Sequence, residues 1–356
     1  MTYNPKYQIT SQIIKDLARI EIVKETFDSK PLSPQLLHSL RETSKISSVH
    51  YSTFIEGNRL TWSEVQETIK GKKLDKKERD EAEVKAYYNA WNKMEELALQ
   101  NHPFDEGLIE TLHTLVEGSK KKIPYRDQPN AVRDSETGAI IYLPPEYQEV
   151  PQMMQDLCDW VQKSKNLPVP LVAGIVHYQF VTIHPYMDGN GRTARLLTSF
   201  IMRTNGYDLK GIYSLEEYYA ADLRSYYDAL QTHPHHNYYY GRHDADITSW
   251  VGYFIKGVAT SFDRVNNQAS TQETKGFKTD KSTLIRELDV KQRKVLELFV
   301  EFKEITSNQI ATKLNISDQS ARLLIRNWVK EEFITSTNTS NKARKYTLSD
   351  KFNELI

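Results

Sequence analysis

One cysteine in 356 residues, Cys158, allows no internal disulfide and no thiolate cluster, which sets aside disulfide-framework and zinc-finger classes and fits a reducing compartment. Neither charge is in excess. With 47 Lys plus Arg against 47 Asp plus Glu, no whole-chain field draws the protein to nucleic acid or to an anionic membrane, so any basic patch is local. Glycine (14) and proline (13) are sparse beside 39 % hydrophobic residues, which excludes collagen-like and disordered classes. The opening Met1-Thr2-Tyr3-Asn4-Pro5-Lys6 lacks the basic start, apolar stretch and cleavage site of a signal peptide, so the expected location is cytoplasmic. Long apolar runs are also missing. The most apolar stretch, residues 167–183, is short for a membrane span and interrupted by Pro168, Pro170, His177 and Gln179, so it reads as a core helix with no membrane partner.

What is present is mainly helical, and the length favours two packed units or three. Ile13, Leu17 and Ile20, then Leu36, Leu37 and Leu40, recur at helical spacing, and residues 75–100 form one long half-buried helix pattern ended by Asn101-His102-Pro103. Between 126 and 145 the period changes. Val132, Ile140, Ile141 and Tyr142 flank the turn cluster Ser135-Glu136-Thr137-Gly138, which predicts a β-hairpin. Helices resume over 150–164, 171–181 and after Arg192, with a stop at Gly206. Residues 263–282 are polar and predict a linker. The resulting division is 1–104, 105–262, the linker, and a small domain over 283–356.

One segment stands out: His184-Pro185-Tyr186-Met187-Asp188-Gly189-Asn190-Gly191-Arg192-Thr193-Ala194-Arg195, between two apolar helices. Gly189, Asn190 and Gly191 tolerate positive φ and can turn several N–H groups one way. The helix opening near Arg192 adds its positive end, and Arg192 and Arg195, three apart, offer two guanidinium forks. That is a recipe for a phosphate site. A carboxylate at Asp188 makes sense beside phosphates if a hard cation such as Mg²⁺ lies between them. His184 is the group whose ordinary pKa suits a general base. The P-loop and dinucleotide fingerprints do not fit, because no Lys-Ser/Thr pair follows the glycines and no strand precedes them. Two other His-Pro pairs, at His102 and His233, lack the glycines and read as helix-ending turns.

This segment resembles the signature of the Fic family: His-Pro-Phe, any residue, Asp or Glu, Gly-Asn-Gly-Arg, two residues, Arg. It departs at Tyr186, whose hydroxyl needs a partner. The resemblance implies a helical Fic fold that moves AMP from ATP to a protein hydroxyl. Residue by residue, it implies His184 as base and Asp188 as the Mg²⁺ ligand. Amides of Gly189, Asn190 and Gly191 would form the anion hole, with Arg192 at the β/γ phosphates and Arg195 at the γ-phosphate. Ala139, Ile140, Ile141 and Tyr142 look like the family's flap, which aligns the target by strand pairing, and Tyr226 like an aromatic group near the adenine. Upstream, Ser52-Thr53-Phe54-Ile55-Glu56-Gly57 resembles the family's inhibitory motif. By that resemblance Glu56 pairs with Arg195 where the γ-phosphate belongs, Ser52 and Gly57 complete the motif, and in some relatives the same glutamate orients water to remove AMP. The resemblance also admits a homodimer, and self-modification as well as a separate protein target.

The last 76 residues predict three short helical patterns, two of them over residues 307–314 and 317–329, and then a strand pair, which resembles a winged helix-turn-helix with Ser317, Gln319, Ser320, Arg322 and Arg326 on the recognition helix. Residues 281–356 carry 14 basic and 10 acidic residues, a surplus of four, which leaves DNA and protein docking both open. Two rival functions follow: a DNA-binding regulator whose Fic part senses nucleotide without turnover, and an enzyme transferring another phosphate-linked group. The run Tyr238-Tyr239-Tyr240 and the histidines at 233, 235, 236 and 243 match no binding template and receive no role.

Overall fold

The computed structural model describes residues 3–30, 32–75, 77–133, 137–276, 284, 288–337 and 344–356. It is mainly helical with two small antiparallel sheets. Among the described residues no helix is long and apolar enough to cross a membrane. The chain divides into two compact units, residues 1–25 with 44–264 and residues 26–43 with 265–356.

In the larger unit the helices are α3 (Trp62–Ile69), α4 (Glu78–Leu99), α5 (Glu106–Val116), α6 (Val150–Lys163), α7 (Val169–Ile183), α8 (Asn190–Thr204), α9 (Glu216–Ala221) and α10 (Leu223–Leu230). Parts of α1 (Ser11–Asp28), α2 (Pro34–Ile55) and α11 (Thr248–Gly276) also belong to it. At its centre α7 packs on α8, with α4, α5 and α6 around them. Helix α7 is buried on nearly every side, and so reads as a continuous apolar run. Gly174 lets Phe254 of α11 approach, since a Cβ there would lie 2.7 Å from its ring, and Trp250 donates to the Gly174 carbonyl at 2.7 Å. The expected hairpin forms from β1 (Val132–Arg133) and β2 (Ile140–Tyr142), antiparallel with a bulge; Ser135 and Glu136 of its turn lie outside the described residues. Thr61 and Glu64 form a capping box at the start of α3.

In the smaller unit α12 (Val290–Leu296), α13 (Leu298–Glu301), α14 (Ser307–Leu314) and α15 (Asp318–Lys330) combine with β3 (Ile305–Thr306), β4 (Ile334–Ser336) and β5 (Lys345–Leu348), in strand order β3-β5-β4. Trp328, Phe333, Ile305, Ile310, Ile325 and Leu348 form its core. Asn315, at φ 52°, turns the chain between α14 and α15, and Ser317 caps α15.

Two boundaries differ from the sequence expectation. Helix α11 continues through 263–276, because a polar sequence without proline does not end a helix already anchored by its apolar start; residues 277–282 of the expected linker lie outside the described residues. Residues 26–43 group with the carboxyl-terminal unit, a long-range association that no local pattern carries.

Candidate active site

The site is the connection between α7 and α8. Helix α7 ends at His184 in the left-handed region (φ 51°), its N–H bonded to the Phe180 carbonyl at 3.0 Å. Arg126 fixes the turn from outside: its Nε donates to the His184 carbonyl (2.9 Å), its Nη2 to the Pro145 carbonyl (2.5 Å) and its own N–H to the Pro185 carbonyl (2.9 Å). The His184 Nδ1 lies 3.4 Å from the Val181 carbonyl; assigning the ring proton to Nδ1 leaves the Nε2 lone pair free. Burial pushes the imidazole down to about 4, so it is neutral at pH 7.

Asn190 closes the loop with its side chain. Its Oδ1 accepts from the Tyr186 N–H (3.0 Å) and its Nδ2 donates to the Tyr186 carbonyl (2.8 Å). Tyr186 is buried and stacked on His113, with centroids 3.5 Å apart and planes 9° from parallel. Its aromatic ring is packed, but the partner expected for its hydroxyl is not found among the described residues. Gly189 (φ 68°) accommodates the turn, and the Asp188 Oδ1 accepts from its N–H at 2.6 Å. The Asp188 side chain remains 79 % exposed, which suits an oxygen donor to an outer cation.

The two arginines are already engaged. Arg195, 1 % exposed, donates through Nε to the Ser52 Oγ (2.9 Å) and through Nη2 to the Ser52 carbonyl (2.9 Å) and the Glu56 Oε1 (2.7 Å). Burial opposes its charge, but Glu56 and the hydroxyls of Tyr226 and Tyr87 outweigh burial and hold its pKa above the usual arginine value. Glu56 also crowds the glycine turn, since a Cβ on Gly191 would lie 2.3 Å from its Oε1. Arg192 pairs with Glu83 (2.6 Å) and Glu117 (3.1 Å), with Asp188 at 3.8 Å. Any phosphate at Arg192 therefore competes with carboxylates that sequence reasoning missed, since α4 and α5 bring them from about 75 to 109 positions away. Burial raises the pKa of Glu117, only partly offset by Arg192.

His184, Gly191, Arg195, Glu56, Ile141, Tyr142 and Tyr226 line one cavity of about 180 Å³. Asp188, Gly189, Asn190 and Arg192 occupy the adjoining loop and helix start, while Ala139 and Ile140 lie outside the cavity wall. Gly57, at φ 94°, turns the chain directly after Glu56. Tyr226 is buried with its hydroxyl 3.0 Å from the His177 Nε2, and Tyr227 donates to the Ile55 carbonyl at 3.2 Å. Helix α2 is also pinned by Ser48, which donates to the buried Glu216 at 2.9 Å. The serines of α2 could have signalled this as a polar stripe; His177, Glu83, Glu117 and Arg126 have no local signal.

The site is thus a glycine-turned cradle with an imidazole at its edge and a carboxylate against its second arginine, and residues 103–202 match the model of the Fic/DOC family. Over 278 residues, 73 % of this chain, the protein is 26 % identical to protein adenylyltransferase fic-1 of Caenorhabditis elegans, of which that covers 51 %. It is also 26 % identical over 228 residues to protein adenylyltransferase Fic of Drosophila willistoni, covering 58 % of this chain and 44 % of that protein. The chain thus spans about half the length, or less, of these curated relatives. A Fic family protein from Desulfovibrio desulfuricans G20 shares the fold over 98 % of this chain and 99 % of its own, at 24 % identity and a TM-score of 0.63. Fic-1 of C. elegans (residues 134–508) does so over 74 % of each chain, at 21 % identity and a TM-score of 0.59.

Proposed function

We propose that the chain is an autoinhibited protein adenylyltransferase that transfers AMP from ATP to a Ser, Thr or Tyr hydroxyl of a protein. The observation that carries this reading is the 2.7 Å pair between Glu56 and Arg195, set against Gly191 in the same cavity as His184. A carboxylate held by a guanidinium in a glycine cradle occupies a place with the chemistry for a phosphate.

In this reading the His184 Nε2 takes the acceptor hydroxyl's proton as its oxygen bonds to the α-phosphorus. The bond from that phosphorus to the bridging oxygen breaks, and pyrophosphate leaves with the electron pair. Amides at Gly189, Asn190 and Gly191 hold the charge that develops, and Arg195 takes the γ-phosphate once Glu56 turns away. Arg192 reaches the β/γ phosphates by exchanging Glu117 or Glu83 for them. Asp188 has one oxygen on the Gly189 amide and the rest of its carboxylate exposed, which fits a magnesium ion; when bound, that ion neutralises phosphate charge. Tyr226 and the flap residues Ile141 and Tyr142 wall the cavity on the side left for the base and the acceptor. The same Glu56, holding a water instead, supports the reverse hydrolysis of AMP-protein.

The test offers the Glu56→Gly chain several donors with magnesium: ATP, the other nucleoside triphosphates and CDP-choline. Mass spectrometry of the products then identifies what is added. Addition of AMP from ATP alone supports the reading; addition of another group, or of none, overturns it.

A second reading concerns the smaller unit, which we propose is a winged helix-turn-helix that binds DNA through α15. Gln319, Arg322 and Arg326 lie at 0, 3 and 7 along one exposed face, opposite buried Ala321, Ile325 and Trp328, and neither arginine is ion-paired among the described residues. Binding to duplex DNA that weakens steeply with salt, and that Arg322→Ala relieves, supports this; salt-independent binding refutes it.

A further inference from the structure

The tyrosine and histidine run without a template in the sequence lies against the flap. Just past β2, the Leu143 N–H donates to the His236 carbonyl (2.9 Å) and the Tyr238 N–H to the Leu143 carbonyl (3.0 Å), a parallel bridge between Leu143 and Asn237. The Glu146 N–H donates to the Tyr239 hydroxyl (2.8 Å), and the Asn237 side chain accepts from the Tyr239 N–H (2.9 Å), which fixes the local turn. Residues 236–239 thus form a rail along the base of the flap.

Gly241, at φ 107°, then turns the chain so that Arg242 reaches back inside. Arg242 is 7 % exposed, its guanidinium carbon 4.7 Å from the centroid of the Tyr142 ring and 5.7 Å from that of Tyr178. Its Nη2 donates to the Leu230 carbonyl at the end of α10 (2.6 Å), and its Nε has no hydrogen-bond partner among the described residues. No carboxylate pairs with it among those residues. Without a counter-ion, this buried cation is held by the Leu230 carbonyl and by the faces of its two rings. Those rings belong to the flap and to α7, and the Tyr142 hydroxyl in turn donates to the Thr182 carbonyl (2.6 Å), two residues before His184. One guanidinium therefore joins the flap, the helix that ends in His184 and the helix that carries Tyr226.

We propose that Arg242 is a positioning residue: it fixes the flap, and so the acceptor segment paired with it, relative to His184. This rests on the adenylyltransferase reading above. Arg242 lines the same cavity as Gly191 and Arg195, but its hydrogen bond goes to Leu230 and its ring contacts to Tyr142 and Tyr178 rather than to the cradle from Gly189 to Arg195; a loosened flap therefore leaves the phosphates held while the acceptor hydroxyl loses its alignment with the imidazole.

The test compares Arg242→Met and Arg242→Lys in the full-length Glu56→Gly chain, with unlabelled His184→Ala chain supplied in excess as acceptor. Arg242→Met lowers kcat/KM for the acceptor at least tenfold while the Kd for magnesium-ATP, read by calorimetry, changes less than twofold. Arg242→Lys, which keeps a cation over the rings, restores part of the loss. Tyr239→Phe, which removes only the hydroxyl at Glu146, gives a smaller loss, about two- to fivefold. Unchanged transfer, or ATP affinity falling in step with transfer, overturns the proposal. If the parent Glu56→Gly chain transfers nothing, it is the function reading that fails. Hydrogen exchange still decides the clamp, because Arg242→Met then speeds exchange at Tyr142 and Leu143, and unchanged exchange there overturns it.

Discussion

Replacing Glu56 with glycine removes one of three hydrogen bonds to Arg195 and leaves the buried guanidinium on Ser52, free on the side where the proposed function puts a phosphate. A charge-assisted hydrogen bond contributes about 1.5–3 kcal/mol, and Glu56 is one third exposed, so solvent screening favours the lower end. At 1.4 kcal/mol per factor of ten, magnesium-ATP affinity rises about tenfold, and transfer of label from α-labelled ATP rises at least as much. Without nucleotide the variant is less stable than the parent by about 1 kcal/mol, because a buried cation has lost its carboxylate. Adding magnesium-ATP reverses the order of their melting temperatures. Calorimetry, label transfer and thermal melts in parallel check all three. A variant that binds ATP no better than the parent refutes the competition on which the reasoning rests.

The pH profile should report His184 directly. Burial holds the imidazole at about 4, below its ordinary 6.5, so the acid limb of kcat/KM in the Glu56→Gly chain lies nearer pH 4 than 6.5. The same depressed value means that the unfolded chain binds more protons between those pH values, so stability falls as pH drops through that window. An acid limb at 6.5 would show the imidazole to be solvated. Gly191→Ala introduces a Cβ 2.3 Å from the Glu56 Oε1 and 3.2 Å from the Arg195 Nη1, so in the Glu56→Gly background it still weakens magnesium-ATP binding at least tenfold by filling phosphate space. Equal affinities in calorimetry would mean the phosphates do not enter there. Ser48→Ala strips a donor from the buried Glu216, whose pKa burial already raises, and costs about 1–3 kcal/mol, seen as a melting temperature about 2–4 °C lower per kcal/mol. An unaltered melt would show that Ser48 does not anchor α2.

The residues legible in the sequence are those whose signal is local. Glycines at 189 and 191 are informative because they share one turn with an arginine pair and a histidine, and the structure brings His184, Gly191 and Arg195 to one cavity. Glu56 was singled out only through the resemblance of residues 52–57 to an inhibitory motif, and it lies 2.7 Å from Arg195. The hairpin emerged from a change of hydrophobic period. What was not legible is tertiary. Glu83 and Glu117 reach Arg192 from α4 and α5, where a lone glutamate looks like any solvated helix residue. Arg242 hides in a polar segment, and only the fold brings the rings of Tyr142 and Tyr178 beside it. Of the linker expected over 263–282, residues 263–276 continue helix α11, because polarity alone does not end a helix.

The division of the chain into units has a practical corollary for dissection. Residues 26–43 belong with the carboxyl-terminal unit, where Arg41 donates to Glu297 at 2.7 Å, yet they are numbered between two stretches of the larger unit. Cleaving the polypeptide after residue 276 therefore does not free two intact halves. It strips residues 26–43 of the unit they belong to, and the amino-terminal fragment keeps α2, with Glu56 just beyond its end, while the other end of that helix has lost its companion. Activities measured on such a fragment describe a helix cut loose at one end.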